Sequence, residues 1–408
     1  MLTLEGELSI KEIRGEDQGM NTEASMKKLF LFTFLVLIYF TGFLFPQTWS
    51  PPKRLTWNAG ESAEPSIAAD SGSNIHIAWY DDSLGNYNVF YKMSSDSGVT
   101  WSGIKRLTWN GGNNQSIAID SSDRIHVVWQ GGAPNGDAEI FYKYSVDGGM
   151  TWSTIKRLTW SIGWSLGPNI TSDSGSGIHL VWYDNNPGNL EIFYKGSTDS
   201  GNTWSGLKRL TWNTGNSSRP SITIDSSGGI HVVWDDDSLG NDEIFYKNST
   251  DGGVTWSGIT RMTWNWGQSY GPSILADNGG KIHILWEDFP IAGGNKEIFY
   301  KNSSDGGITW SGLIRLTWSW GDSYSPSIAA DLAGSIHVIW EDATPGNSEI
   351  FHKTSTDGGA SWLGVTRLTW NSGISWWPSV ATDSSNDIHV VWGDNTPGNY
   401  EIFYKSRK

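Results

Sequence analysis

A tetrapeptide at regular intervals restricts this chain more than any other feature. Arg-Leu-Thr-Trp, with Met for Leu once, ends at Trp57, Trp109, Trp160, Trp212, Trp264, Trp318 and Trp370. The intervals are 52, 51, 52, 52, 54 and 52 residues. A period near 50 without helical patterning implies a small β unit that buries its faces only by stacking on copies of itself. In the first unit four segments read as strands: 65–70 (PSIAAD), 75–79 (IHIAW), 88–92 (NVFYK) and 100–109 (TWSGIKRLTW). All are rich in Ile, Val, Tyr or Trp and are bounded by Gly, Asn, Asp or Pro. Ile75, Ile77 and Trp79 fall on one strand face, and His76 and Ala78 on the other. Four antiparallel strands per unit, stacked radially, predict an all-β propeller, with Trp filling the wedge between twisted sheets.

The counts predict how the ring closes. The first three strands occur seven times, the last ending at Lys405. An eight-residue phrase that leads into the fourth strand occurs six times: SSDSGVTW (94–101), SVDGGMTW (145–152), STDSGNTW (197–204), STDGGVTW (249–256), SSDGGITW (303–310) and STDGGASW (355–362). The seventh fourth strand lies at the front, where TWSPPKRLTW (48–57) matches TWSGIKRLTW without its preceding turn. The N-terminal strand is therefore expected to complete the seventh blade. Sealing the ring in this way removes an exposed sheet edge.

Within the phrase, Asp96, Asp147, Asp199, Asp251, Asp305 and Asp357 are placed to accept backbone N–H groups of a turn, and the Gly two residues on permits positive φ. This pattern resembles the Asp box, and residues 48–408 resemble Asp-box (BNR-repeat) proteins of the sialidase-like propeller superfamily. The resemblance implies that the boxes sit at the rim, away from any active site. It also implies that a sialidase would show three Arg for the substrate carboxylate, a Tyr nucleophile paired with Glu, and an Asp acid/base. That set is not identifiable. Arg54, Arg106, Arg157, Arg209, Arg261, Arg315 and Arg367 hold one repeat position, and among propeller residues only Arg124, Arg219 and Arg407 depart from it. No catalytic residue is carried over.

Length alone, 408 residues, suggests two or three domains, but the repeat overrides it. A net charge of −15 argues against nucleic acid as a partner. The absence of Cys excludes disulfides and thiolate chemistry. Residues 26–47 (MKKLFLFTFLVLIYFTGFLFPQ) read as a signal peptide, or as an uncleaved anchor. Residues 1–25 then read as a mis-start ahead of Met26 or a short tail. A membrane enters only through that leader, and the expected location is secreted, periplasmic or cell-surface.

Two sets of loops share the face opposite the boxes, and there recognition is expected. The inter-blade links carry the extra aromatics Trp164, Trp266, Tyr270, Trp320, Tyr324, Trp376 and Trp377. Indole and phenol rings suit stacking on sugar C–H faces; packing over the blade tops is the alternative. The turns between second and third strands carry Asp81, Asp184, Asp236, Asp288, Asp342 and Asp394, and in six blades a Glu opens the third strand. These carboxylates suit sugar hydroxyls or Ca²⁺, or else turn formation and Glu–Arg pairing within a blade. No cofactor is otherwise implied. Seven His at one second-strand position (His76, His126, His179, His231, His283, His337, His389) stand on separate blades and read as structural, and His352, in place of a Tyr, as incidental. The sequence thus points to a non-catalytic, carbohydrate-binding propeller with glycans or surface polysaccharide as partners. A sialidase-like glycoside hydrolase and a protein-binding scaffold are the alternatives.

Overall fold

The innermost strand of each unit turns an edge toward the ring axis, and its sequence suits that place. Six of the seven carry Pro near their start (Pro65, Pro168, Pro220, Pro272, Pro326, Pro378), which withholds an N–H from a strand edge that pairs on one side only. In the computed structural model, which describes residues 48–134, 136–289 and 294–408, the units form seven four-stranded antiparallel sheets. Blade 1 consists of Ser62–Ala69, Ile75–Asp81, Asn88–Ser94 and Lys105–Arg106. Blades 2 to 6 repeat it, starting at Asn113, Ser165, Ser217, Ser269 and Ser323. Blade 7 takes Ser375–Thr382, Ile388–Asp394 and Glu401–Arg407 from the chain's end and Lys53–Arg54 from its front. Lys53 pairs with Tyr404 and Arg54 with Phe403, so the expected closure by the N-terminal strand is present. Arg54 also meets the buried Glu401 at 2.7 Å, as Arg157 meets Glu139 inside blade 2 at 2.6 Å.

The fourth strand is shorter than its sequence suggests. Only two residues per blade pair in regular register, with isolated bonds such as Ser102 N–H to Met93 O (2.8 Å) beside them. An outermost strand has no outer neighbour to hold it flat. Packing lies between blades: Ile67, Ile75, Ile77 and Trp79 of blade 1 join Val391, Ile402 and Tyr404 of blade 7. The second-strand Trp79, Trp129, Trp182, Trp234, Trp286, Trp340 and Trp392 are no more than 2% exposed. Each hides on the order of 200 Å², a gross gain of about 5 kcal/mol at ~25 cal/mol per Å². The Arg-Leu-Thr-Trp indoles do not join them; they face solvent. The leader and residues 1–25 lie outside the described residues. Among the described residues no helix is long and apolar enough to cross a membrane.

The Asp boxes couple neighbouring blades. Asp199 accepts from the Thr203 N–H and hydroxyl at 2.8 and 2.7 Å and from the Ser197 hydroxyl at 2.8 Å, and these donors hold its carboxyl down at about 2. The box thereby sets Gly201 at φ 79°, against the phenol of Tyr142 in the preceding blade. A Cβ there would lie 1.8 Å from the Tyr142 hydroxyl. The Trp204 ring meets Tyr142 edge-on at 5.2 Å. Behind it, His126 Nδ1 lies 2.7 Å from the same hydroxyl and Nε2 3.2 Å from Asp120. The contact recurs around the ring, ending with Gly98 against Tyr404. The seven His are thus structural, each tied to its own blade.

One junction lacks a box, because blade 7 takes its fourth strand from the chain's N-terminal end. The side chain facing that gap is His352, in the position that Tyr holds elsewhere. Trp49 packs edge-on to it at 5.1 Å, and His337 stacks on it at 5.6 Å. His352 is therefore not incidental: it marks the one blade whose neighbour brings no glycine turn for a phenol to meet.

Two outcomes follow from these contacts. Gly201→Ala combines a left-handed backbone with a backbone–phenol collision and is expected to cost about 2–3 kcal/mol in denaturant unfolding. Gly206→Ala, with open space around its added carbon, is expected to leave the midpoint unchanged. Burial lowers the pKa of His337 to about 4 and that of His352 well below the usual imidazole range. The unfolded chain takes up these protons first, so stability present above about pH 6.5 is lost as pH falls toward 4. His352→Tyr is expected to make that loss shallower in unfolding midpoints measured from pH 7 to 4.

Candidate functional site

The first strand of every blade carries a two-residue bulge near its start, seen as a register shift between Ala63 and Ser66 in blade 1. The first bulge residue takes positive φ in all seven blades: Glu64, Asn114, Gly167, Arg219, Gly271, Ser325 and Trp377, at 47–54°. Such a backbone is uncommon for any residue but Gly, and for Trp it is an outlier. Facing each bulge is the second-strand residue after the buried Trp: Tyr80, Gln130, Tyr183, Asp235, Glu287, Glu341 and Gly393. Strand direction puts this end of the blade on the face opposite the boxes, and the bulges gather around the axis. A cavity of ≈ 380 Å³ opens there, lined among others by Glu64, Asn114, Tyr183, Arg219 and Trp377.

In three blades the facing residues match in size or charge. Gly167 lies under Tyr183, whose ring a Cβ would meet at 2.5 Å, and Gly393 leaves room for the Trp377 indole at 3.2 Å. Arg219 grips Asp235 with two bonds, of 2.7 and 3.0 Å. Neighbouring blades join here as well. The Trp377 N–H donates to Glu341 at 2.7 Å, Gly271 N–H to Asp235 at 3.3 Å, and Gly167 N–H to Gln130 Oε1 at 2.9 Å.

Burial dominates the electrostatics of the basin. It pushes the Glu64 and Glu341 carboxyls up to about 7, the latter against the Trp377 N–H. It pushes Asp235 up to about 6 despite the Arg219 guanidinium, and Glu287 upward despite Lys296. Lys296 lies 3.5 Å from Glu287 and over the rings of Tyr270 and Tyr324 at 5.1 and 5.5 Å. Two cations, each already engaged, thus stand among four carboxyls that burial makes harder to ionise, with Glu64 and Glu341 holding their protons near neutral pH. Such groups can donate or accept protons there.

The structure divides the aromatics expected from the links. Of these, Trp377 lines the axial cavity, Tyr270 meets the Arg219 guanidinium at 5.0 Å, and Tyr324 and Trp376 directly precede the bulges of their blades. Trp376 stacks on Tyr400 at 5.6 Å, and Trp377 meets Tyr400 at 5.2 Å. Trp164, Trp266 and Trp320 stand apart from them, exposed at 53%, 100% and 92%. The six turn aspartates are buried braces. Asp81 accepts from the Ser62 hydroxyl at 2.6 Å and the Ser83 N–H at 2.8 Å, and Asp184, Asp236, Asp288, Asp342 and Asp394 bind the matching first-strand serine. They tie the link to the turn instead of presenting free oxygens. Among the described residues no group of three or more His, Asp or Glu is placed to hold a metal ion. Sequence reading missed the bulge ring and the residues facing it. The available signal was Arg219, the arginine outside the repeat position that sits directly before a first-strand Pro.

The fold and this basin define a seven-bladed propeller whose repeated blades converge on one asymmetric site. A BNR repeat-like domain model matches residues 123–332, just over half of the chain, and the chain belongs to that family. Among curated proteins, none matches it. Solved structures share the fold at low identity. A protein of unknown function from Dyadobacter fermentans is 14% identical with a TM-score of 0.55, over 88% of this chain and 99% of that one. A PL25 ulvan lyase bound to -[GlcA(1-4)Rha3S]- is 12% identical with a TM-score of 0.62, over 86% and 95%. The NanB sialidase of Streptococcus pneumoniae is 14% identical with a TM-score of 0.50, over 88% and 71%.

Glu341→Gln tests the burial of the basin carboxyls. A folded pKa near 7 means the proton is held more tightly in the fold than in the open chain, so this contribution to stability is present below about pH 4.5 and lost as pH rises through 7. The variant is expected to be about 1–3 kcal/mol more stable than the parent at pH 8 and to flatten the fall between pH 4.5 and 7, in denaturant unfolding.

Proposed function

We propose that the protein binds carbohydrate in the axial basin, on the face opposite the Asp boxes. The observation that carries this reading is the convergence of unlike residues from like blades. Seven near-copies would make a symmetric surface; at the axis they instead present Glu64, Asn114, Tyr183, Arg219 and Trp377 around one cavity, with the Asp235 carboxylate behind Arg219. Such a constellation suits a ligand without sevenfold symmetry. Phenol and indole faces suit pyranose C–H surfaces, and carboxyl and amide groups suit hydroxyls. Both basin cations are engaged by acids, so a neutral sugar fits better than a sugar acid, and the arginine set a sialidase needs is not gathered here. Two fold relatives, an ulvan lyase and a sialidase, agree with carbohydrate as the ligand class by analogy of fold. Reading 26–47 as a leader supports export, and with it a basin that works outside the cytoplasm.

A second reading, glycan cleavage, is favoured by Glu64. Its carboxyl, raised to about 7 by burial, is a proton donor at neutral pH of the kind that protonates a leaving oxygen.

The test is an oligosaccharide array probed with the protein and followed over time. Trp377→Ala and Glu64→Gln are expected to weaken axial binding by at least about 10-fold, as loss of a stacking ring or a buried polar contact does. Trp266→Ala is expected to leave it unchanged. Signal that decays while shorter sugars accumulate, and that persists in Glu64→Gln, supports cleavage. An array without signal overturns both readings and leaves a protein ligand.

A further inference from the structure

The Arg-Leu-Thr-Trp indoles form a second, independent feature. Trp57, Trp109, Trp160, Trp212, Trp264, Trp318 and Trp370 are 59–69% exposed, all at the same place on successive blades. A lone exposed Trp is unremarkable, but seven in register on one rim are not explained by packing. Each is held firmly. The guanidinium of its own blade lies over the ring, at 5.6 Å for Trp160 and 5.8 Å for Trp212, and the ammonium of the next blade lies 5.3–5.9 Å away, as Lys247 does from Trp212. Those lysines are themselves tied down: Lys247 Nζ donates to Leu210 O at 2.9 Å. Rigid aromatic faces of this kind lose little freedom on binding.

Beside four of these junctions lies a cavity, and in three of them, between blades 2–3, 5–6 and 6–7, the lining follows one design. Volumes are ≈ 490, 230, 430 and 420 Å³ at the junctions of blades 1–2, 2–3, 5–6 and 6–7. The one between blades 5 and 6 shows the pattern: Trp318 on the outer wall, Trp340 and Phe351 as floor, Val365 of the next fourth strand opposite, and Asp342 and Lys353 as polar edge. Trp370, Trp392, Phe403, Asp394 and Lys405 repeat it one blade on, with Pro52 of the closing strand opposite. The other three junctions keep the same residue types, Trp57, Phe90 and Lys92 among them. Each of these three cavities has an aromatic floor and wall with polar groups on one edge, and the charges around it are already engaged: Arg367 pairs with Glu349 at 2.9 Å, and Lys353 Nζ donates to Leu316 O at 2.8 Å.

From this geometry we infer that the rim carries a ring of equivalent shallow sites for neutral sugar units, one per blade junction, separate from the axial basin. The chemistry matches a pyranose: one apolar face for the indole, and hydroxyls for the exposed turn residue at the edge, Asn186, Thr344 or Thr396. The repetition identifies the partner further. A ligand that is itself a repeating glycan, as a polysaccharide or a coated surface, engages several equivalent sites at once and gains by effective concentration what each shallow site lacks. The rim holds the protein on a glycan surface, while the axis takes a single segment.

The experiment uses the full protein on neutral oligosaccharides printed at high and low density, with Trp160→Ala, Trp318→Ala and Trp370→Ala singly and combined. These indoles are exposed, so the variants are expected to unfold at the parent midpoint. The inference expects a small loss for each single variant and a loss of about 10-fold or more for the triple variant at high density, with little change at low density. It also expects Trp377→Ala to leave the density-dependent component intact, which separates failure here from failure of the axial reading. Parent-like binding by the triple variant overturns the inference. So does abolition of all density dependence by Trp377→Ala alone. A change in oligomeric state without a change in glycan binding overturns it too, and assigns the rim to contacts between copies.

Discussion

The close approach between a glycine of one blade and a phenol of the blade before it sets the geometry of the ring. Gly201 rests on Tyr142 with no space for a methyl group. That contact needs three things together: an Asp199 carboxylate that closes the turn, a backbone at positive φ, and a Tyr hydroxyl held by His126. Repeated around the ring, it fixes the rotation from each sheet to the next. The wedge filled by second-strand indoles then follows, as does the distance of every first strand from the axis. Where the chain's own ends interrupt the series, the phenol is replaced by His352, and Trp49 packs against it without a glycine turn. The difference between six boxes and seven blades is therefore carried into the side chain that faces the gap.

A scaffold locked at its outer turns leaves its inner ends free to differ. In three blades the bulge residue and the residue facing it form a matched pair: small against large in Gly167–Tyr183 and Trp377–Gly393, cation against anion in Arg219–Asp235. Bonds such as that of the Trp377 N–H to Glu341 link one blade's bulge to the next. Because the bulges all lie around one axis, their differences build a single asymmetric basin. Low exposure then makes its carboxyls reluctant to ionise, which gives the basin proton-holding groups near neutral pH. The rim follows the opposite rule. There the residues stay alike from blade to blade, and the surface they form is repetitive.

Much of this was legible from the chain. The period, the four alternating segments and the unmatched strand at the front dictate a closed ring of seven blades, since hydrophobic alternation and turn residues act locally. Sequence reading went astray where a residue's fate depends on distant neighbours. The Trp of Arg-Leu-Thr-Trp alternates like a buried residue, yet the fourth strand is outermost and turns it to solvent. The turn aspartates look like free oxygens beside Asn and Trp, yet Asp184 sits beneath the link and is occupied by Ser165 and Ser161. Trp164 and Trp377 both stand in link segments, and only the bulge at Trp377 carries its ring to the axis.

By itself, then, the sequence determined the blade, its repetition, its closure and the family to which the chain belongs, because each follows from short-range pattern and from counting. Tertiary structure alone decided which residues meet. Positions about 52 residues apart converge at the axis only after the ring has closed, and a register shift of one bulge decides whether a side chain faces a neighbour, the solvent or the basin. That convergence has no local signature, since no segment of the chain contains two of the residues facing one another across the axis.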